Sequence, residues 1–530
     1  MMQITFIGAA HEVTGSCYIL DILDKRIMVD CGMVQGPDIF EKQEIEIEAG
    51  KIDFVLLTHA HIDHSGNLPL LYKNGYRGPI FSTVATFNLC EIMLRDSAHI
   101  QEFEAEWKNR KALRSNREIV EPIYTMDDAD GAIGLFKTFD YNETVPLTDS
   151  ITVTFIDAGH LLGSSSIKIV FSDDNVQRSI VFSGDIGNLN QPLINDPSYI
   201  EDADYIIMES TYGDKVHKED RIREEEISSL LNRTFERGGN VVVPSFAVGR
   251  TQELLYYLRK IKESRSVTCD PDFKVYLDSP LAIEATNIFL NASQIYYDEE
   301  ARELLSNNIN PVYFDNLTFT STVEESKSIN FCKENKVIIS ASGMCEAGRI
   351  RHHLKHNLWN PNNTIMFVGY QAVGTLGRRL LDGVKSVKLF GEDISVSAEI
   401  KELYGTSSHA DKIGLLKWIK NVNPKPKRVF VTHGESDVVD FFGDLLESNG
   451  FKVSMPYPGE IFDLNLDMVV KPGKKKKGKA SLKRDIRFEK LKDAGKELSA
   501  VIDSLKGHSN KELGKLTDEI NKLVEKYRVS

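Results

Sequence analysis

The beat of its short apolar runs constrains the fold of this chain most. Between Gln3 and Ser210 nine runs, QITFIGAA, SCYILDI, KRIMVDCG, DFVLLTH, GPIFST, ITVTFIDAGH, SSIKIVFS, RSIVFSGD and DYIIMES, are punctuated by Gly, Asp and Asn, as strands joined by turns are. One long helical patch, TFNLCEIMLRDSAHIQEFEAEWKNRKALR, lies among them. From about Thr211 the beat changes to helix then strand: HKEDRIREEEISSLLNRTFERG, NVVVPSF, GRTQELLYYLRKIKE, FKVYLDSP, LAIEATNIFL. That alternation predicts a doubly wound parallel sheet with a core of its own. After Ser395 the earlier style returns in SVSAEIKELYGTSSHAD, KRVFVTHGESD and the helical VVDFFGDLLESNG. The economical reading is a β-rich α/β domain, residues 1–210 and 396–465, interrupted by a second domain at 211–395. A length of 530 residues, too great for one ordinary core, agrees.

Charge divides the chain differently. Residues 471–530 hold 18 Lys and Arg against 9 Asp and Glu, so the first 470 residues carry −23 of a chain whose net charge is −14. An acidic body repels a polyanion at long range, and any nucleic-acid site on it must be a local basic or metal-lined groove. KPGKKKKGKASLKRD (471–485) reads as a basic, flexible linker. Beyond it Leu491, Ala494, Leu498, Val501, Ile502 and Leu505, then Leu513, Leu516, Ile520, Leu523 and Tyr527, recur at helical spacing. A linker and helical extension at 466–530 is expected, either solvated or binding a partner or RNA, with a homodimer left open. The six scattered cysteines predict buried free thiols and no disulfides. With no basic leader in MMQITFIGAA and no run of about 18 apolar residues, a cytoplasmic protein without a membrane segment is expected.

The densest chemistry lies in THAHIDH, residues 58–64. His59 and His61 are two apart at the end of an apolar run, so on an extended strand their imidazoles point the same way. Asp63 and His64 follow where the chain turns toward SGNLPLLYKN, giving four convergent donors on one tip. One tip cannot complete two metal sites. His160 in IDAGHLLGSS, Asp185 in VFSGDIGN, His409 in TSSHAD and His433 in VFVTHGE are the candidates to join it, each read as lying at the C-terminal end of a β-run beside small residues.

The order Asp30 (VDCG), THAHIDH, His160, Asp185 resembles the four motifs of the metallo-β-lactamase fold, an αββα sandwich. Glu209 (MESTYGD), His409 and His433 resemble the three further motifs of the β-CASP ribonucleases, similar to the cleavage and polyadenylation specificity endonuclease and its bacterial and archaeal homologues. The likeness covers about residues 3–462, including PSFAVGRTQELL, LDSPLA, ISASGMCEAGRIRHHLKH and FVGYQAVGTLGRRLLDG. It implies two Zn²⁺ ions, replaceable by Mn²⁺: one held by His59, His61, His160 and Asp185, the other by Asp63, His64, Asp185 and His433. It also implies that Asp63, His409 and Glu209 are catalytic, with His409 the general acid or phosphate contact and Glu209 orienting it, and that Asp30 steadies the ligand loop from behind.

Members that repair DNA carry an apolar residue where this chain has His433, so the resemblance favours single-stranded RNA. Arg250, Ser340, Ser342, Gly343, Arg349, Gly374, Thr375 and Arg378 are the expected phosphate contacts, since glycines admit phosphate to backbone N–H groups and guanidiniums fork onto it. The expected activity is a zinc-dependent, endonucleolytic ribonuclease. A 5′ exoribonuclease, a small-molecule metallo-hydrolase and an inactive scaffold are the alternatives.

Overall fold

In a computed structural model of the protein, the β-runs outside the insertion form two sheets. The structure describes all residues except 1, 36–47, 115–117, 174–175, 218–222, 373, 404–406, 476–493, 496–497, 500, 503, 506–509 and 528–530. The first sheet has eight strands in the order Met468–Lys471, Glu460–Asp463, Met2–Gly8, Cys17–Ile22, Lys25–Val29, Phe54–Leu56, Ile80–Thr83, Phe136–Phe139. The second has seven: Val453–Ser454, Arg428–Val431, Tyr205–Met208, Val176–Phe182, Ser165–Asp173, Ile151–Asp157, Thr144–Thr148.

Both sheets obey the period of two. In Met2–Gly8, Met2, Ile4 and Phe6 are buried while Gln3 and Thr5 are not, and Ile151–Asp157 alternates the same way. The inward sets meet in one core: Ile4, Phe6, Leu20, Val29 and Leu56 from the first sheet face Val153, Phe155, Ile169, Phe182, Ile207 and Phe430 from the second. Each such side chain contributes about 1.5–3 kcal/mol by leaving water. Helices close the outer faces. Leu68–Lys73 and the 31-residue Val84–Arg114 cover the first sheet through Leu71, Leu89 and Leu94, and Lys412–Lys420 and Ser436–Ser448 cover the second through Leu415, Trp418, Phe442 and Leu446. The result is the expected αββα sandwich.

The insertion builds a six-stranded sheet, all parallel, in the order Leu317–Phe319, Lys274–Leu277, Lys336–Ser340, Val241–Pro244, Thr364–Phe367, Glu399–Glu402. Its three central strands are buried on both faces, as strands of a parallel sheet between helices are: Val242, Ile338 and Ile365 pack on Ile350, Leu354 and Leu380, and Val243, Val275 and Ile339 face the side of Leu254, Leu258 and Ala285. The sheet runs on past Ser395 to Glu399–Glu402. Its core joins that of Leu89 and Leu161, and residues 1–473 make one unit.

Residues 474–530 form a second unit, in which Asn510–Tyr527 is helical. Leu491 and most of 471–485 lie outside the described residues. All six cysteines are free. Cys17, Cys31, Cys90 and Cys345 are buried as expected, but Cys332 is half-buried and Cys269 is exposed, because the latter sits in the turn before Lys274–Leu277 rather than in an element. Among the described residues no helix is long and apolar enough to cross a membrane.

Candidate metal centre

Strand ends place the chemistry. Lys25–Val29 and Phe54–Leu56 run parallel, so Asp30 and the loop carrying His59 leave the first sheet side by side. Val176–Phe182, Tyr205–Met208 and Arg428–Val431 are parallel neighbours in the second, so Asp185, Glu209 and His433 emerge next to one another at their C-terminal ends, where open α/β sheets bind ligands. His160 follows Ile151–Asp157. Gly187 draws its loop in: a Cβ there would lie 1.7 Å from the Gly159 carbonyl oxygen, so only glycine permits this approach.

His409 arrives differently from the other candidates. It does not cap a β-run but lies seven residues past Glu399–Glu402, on a loop held to the Asp185 loop by a bridge to Gly187 and by Ala410 N–H donating to Ile186 O at 2.7 Å.

The side chains converge on Asp185. One carboxylate oxygen faces His59 Nε2 at 3.4 Å and His160 Nε2 at 3.6 Å; the other faces His64 Nε2 at 3.3 Å and His433 Nδ1 at 3.7 Å. His61 Nδ1 is 3.0 Å from His59 Nε2 and 3.3 Å from His160 Nε2. Asp63 Oδ2 is 3.9 Å from His433 Nε2, which in turn is 3.1 Å from His64 Nε2. The donors fall into His59, His61, His160 and Asp185 on one side and Asp63, His64 and His433 on the other, each set with its donor atoms within 4.8 Å of one another.

The surroundings fix these rings. Asp30, buried and at φ 57°, accepts from Thr58 N–H at 2.8 Å and lies 2.7 Å from His64 Nδ1, which directs Nε2 inward. His160 Nδ1 faces the Ser408 carbonyl at 3.3 Å. His433, at φ 47°, is anchored by its N–H on Ala9 O at 2.6 Å. A non-glycine residue in this region costs of order 1–3 kcal/mol, which the neighbouring bonds must offset. Glu209 Oε1 accepts from Ile186 N–H at 2.6 Å and lies 3.2 Å from His409 Nδ1.

Electrostatics sorts the ring nitrogens. Burial, then His59, pushes His61 down to about 3, and burial with His409 alongside holds His160 well below its ordinary value, so both offer neutral lone pairs. Burial would lift the Asp185 carboxyl, but His433, His64, His409 and His59 hold it well below the usual range. Burial opposes charge on His409, yet Glu209 and Asp185 raise it to about 9. The neutral imidazoles of His59, His61 and His160 beside the ionised Asp185 suit a divalent cation, and Asp185 Oδ1, buried without a hydrogen-bond partner, fits one. On the other side burial opposes charge on His64, but Asp185 and Asp30 raise it well above its ordinary value.

The side chains among the expected phosphate contacts already bond within the protein, while Gly374 has open space around it. Arg250 pairs with Glu253, which also takes Arg223. Ser340 Oγ donates to Asp278 O at 2.7 Å, and Ser342 N–H donates to Ala347 O at 3.3 Å. Arg349 donates to Asp278 at 2.7 Å and to the Thr320 and Ser321 carbonyls. Gly374 precedes Thr375, whose hydroxyl caps Arg378 N–H; Arg378 pairs with Asp382, and the Glu346 carboxylate accepts the Leu376 N–H at the start of that helix. Gly343 lies under the ring of Phe246. Sequence reasoning passed over Tyr212, 6.1 Å from His409 between ring centroids, and His217, whose Nε2 is 3.1 Å from the His409 carbonyl. Tyr212 lies within the MESTYGD segment and His217 three residues beyond it, which was the available signal.

Two facing sheets with a buried His/Asp cluster at their strand ends define a metallo-hydrolase of the metallo-β-lactamase class. Family models agree: residues 19–203 match the metallo-beta-lactamase superfamily domain, 251–380 the Beta-Casp domain and 393–456 the Zn-dependent metallo-hydrolase RNA specificity domain. The chain is 35% identical over 460 residues to Ribonuclease TTHA0252 of Thermus thermophilus, covering 87% of this chain and 99% of that one. It is 30% identical over 450 residues to Transcription termination factor FttA of Methanosarcina mazei (82% and 67% covered) and 30% over 438 residues to an RNase J-like protein of Methanocaldococcus jannaschii (82% and 93%). The chain belongs to the β-CASP ribonuclease family of the metallo-β-lactamase fold, and is a metal-dependent hydrolase.

Proposed function

We propose that the protein is a zinc-dependent endoribonuclease acting on single-stranded RNA. The observation that carries this reading is the Asp185 carboxylate between two donor sets, with His409 beside it on Glu209. His59, His61, His160 and Asp185 would hold one ion; Asp63, His64, Asp185 and His433 the other, with Mn²⁺ able to replace Zn²⁺. When bound, a metal pair supplies an activated water and neutralises charge on the attacked phosphate.

The chain's own groups do the rest. Asp30 and Ser408 O hold His64 and His160 with Nε2 inward. Glu209 engages His409 Nδ1, which leaves Nε2–H to protonate the departing 3′ oxygen or to hold the phosphate. Tyr212 and His217 restrain the His409 loop. Arg250 and Arg378 bond Glu253 and Asp382 through one nitrogen each and keep other N–H groups for a phosphate, whereas Arg349 commits both terminal nitrogens to Asp278 and to the Thr320 and Ser321 carbonyls.

RNA is supported by His433, by the RNA specificity domain match and by the name of the Thermus thermophilus relative. The Glu346 carboxylate accepts the Leu376 N–H and would repel a phosphate at that helix start; internal cutting is the mode the experiment below distinguishes from 5′ removal. Free thiols suit a reducing, cytoplasmic compartment.

The test is a single-stranded RNA labelled separately at each end, with the matching DNA, incubated with the protein and its His64→Ala and His409→Ala variants. Internal fragments from RNA alone, lost in both variants, are expected. Mononucleotides from the 5′ end would make it an exonuclease, and RNA left intact in zinc and in manganese would overturn the reading.

A further inference from the structure

Phe246 is an aromatic ring kept at the surface by buried structure. It lies in the loop between Val241–Pro244 and the helix Arg250–Glu263, and is 40% exposed. Its backbone is fixed: buried Thr251 donates through Oγ1 to the Phe246 carbonyl at 2.6 Å. The ring rests on two glycines. A Cβ on Gly343 would come within 2.9–3.1 Å of three ring carbons, and one on Gly369 within 3.3–3.5 Å of two of them. Buried Gln371 ties those glycines together, donating through Nε2 to the Gly343 and Gly369 carbonyls, each at 3.0 Å. Tyr370, next to Gly369, is 62% exposed. Among the described residues neither ring stacks on another aromatic side chain.

The place matters as much as the packing. Phe246, Gly343 and Gly369 follow Val241–Pro244, Lys336–Ser340 and Thr364–Phe367, three adjacent parallel strands, and so share the C-terminal edge of the inserted sheet. That edge lies close to the metal centre. Gly249, three residues on from Phe246, faces Leu161, the neighbour of His160, with its Cβ direction 3.0 Å from Leu161 Cδ1. Tyr212, beside His409, has its phenol raised by burial first, and the Tyr370 hydroxyl adds to this, so Tyr370 is within electrostatic reach of it.

We propose that Phe246, with Tyr370 beside it, is a base-stacking platform for a nucleotide flanking the scissile phosphate. This rests on the single-stranded RNA reading above. A ring backed on one side by glycine backbone and open on the other offers a π-face to any base, in keeping with cutting that the phosphate backbone alone does not register. In a chain of net charge −14 whose nearby guanidiniums are paired with carboxylates, stacking supplies affinity that charge does not.

The experiment uses the full-length, metal-loaded protein and an RNA in which an abasic ribose replaces each nucleotide around the cut in turn. With wild type, one position is expected to lose roughly 5- to 150-fold in kcat/KM. Phe246→Leu keeps apolar volume over the glycines but removes the π-face. It should lose a similar factor on intact RNA and then be nearly indifferent to the abasic site at that position, while Phe246→Trp restores the wild-type pattern. If Phe246→Leu does not fold, the exposed Tyr370→Ala variant is read by the same scan, with coupling expected at that position or its neighbour. Equal abasic losses in wild type and variant at every position would overturn the platform and leave the ribonuclease reading intact. Intact normal RNA with wild type would overturn both.

Discussion

Asp278 is the buried charge on which the inserted domain turns, and replacing it with asparagine should show this directly. Its carboxylate is fully buried yet meets four donors: Arg349 Nη1 and Thr320 Oγ1 on Oδ1, both at 2.7 Å, and His353 Nε2 and Ser326 Oγ on Oδ2, both at 2.6 Å. Burial alone would raise this carboxyl, but the bonds from His353, Ser326, Thr320 and Arg349 bring it down to about 2. Against an ordinary value of 3.8, the shift corresponds to roughly 2–2.5 kcal/mol of folding stability. Because the folded value is the lower one, that stability is fully present above about pH 4 and is lost as pH falls toward 2. Asparagine offers one acceptor oxygen and turns an NH₂ toward two donors, leaving the Arg349 charge without its partner; breaking a buried pair in this way costs about 3–5 kcal/mol. Urea unfolding followed at pH 7 should show Asp278→Asn destabilised by about 2–5 kcal/mol, with the gap from wild type narrowing as pH is lowered below 4. A variant as stable as wild type at pH 7 would refute the reasoning, since four hydrogen bonds, one of them the ion pair to Arg349, would then contribute nothing.

Three other expectations follow from the site. His409→Ala should lower kcat on RNA by about 10²- to 10⁴-fold, in the range of general acid catalysis, with metal content by elemental analysis unchanged; loss of metal would show that His409 is a ligand instead. Asp30→Ala should weaken metal binding about 10- to 100-fold in a chelator competition, because it frees the His64 ring; unaltered affinity would contradict its orienting role. Truncation after Pro472 removes a surplus of positive charge and should flatten the salt dependence of RNA affinity, each lost phosphate contact reducing the slope by about 0.7; the same slope in both proteins would show that the tail does not touch RNA.

What could be read from the letters depended on how far apart the cooperating residues lie. THAHIDH was legible because four donors fall within six positions and the apolar run IDFVLL marks the strand that leads into them. His160, Asp185 and His433 were legible one by one as residues following apolar runs, and parallel strand order brings those runs together. His409 was found by motif, but its support was not, since the strand before it belongs to the other domain's sheet and its anchor is a bridge to Gly187. The arginines' ion pairs were hidden for the complementary reason. Arg349 stands among glycines and serines that resemble a phosphate cradle, and its partner Asp278, 71 residues earlier, has no local mark of being an ion pair. GTLGR has the composition of a phosphate-binding helix start, yet Glu346, 30 residues before Leu376, fills it.

The same contrast bears on how the two domains divide their work. The sandwich assembles donors whose positions follow from strand order, so its chemistry survives in sequence as spaced motifs. The insertion neutralises its own charges, Arg250 on Glu253, Arg349 on Asp278 and Arg378 on Asp382, and presents rings, glycines and backbone at the edge nearest the metal centre. A wall of that kind gains little from long-range attraction to RNA. On the proposed stacking, discrimination would fall at contact: a single, flexible strand could lay a base against Phe246 while its phosphate reaches His409, and a base paired in a duplex could not do both.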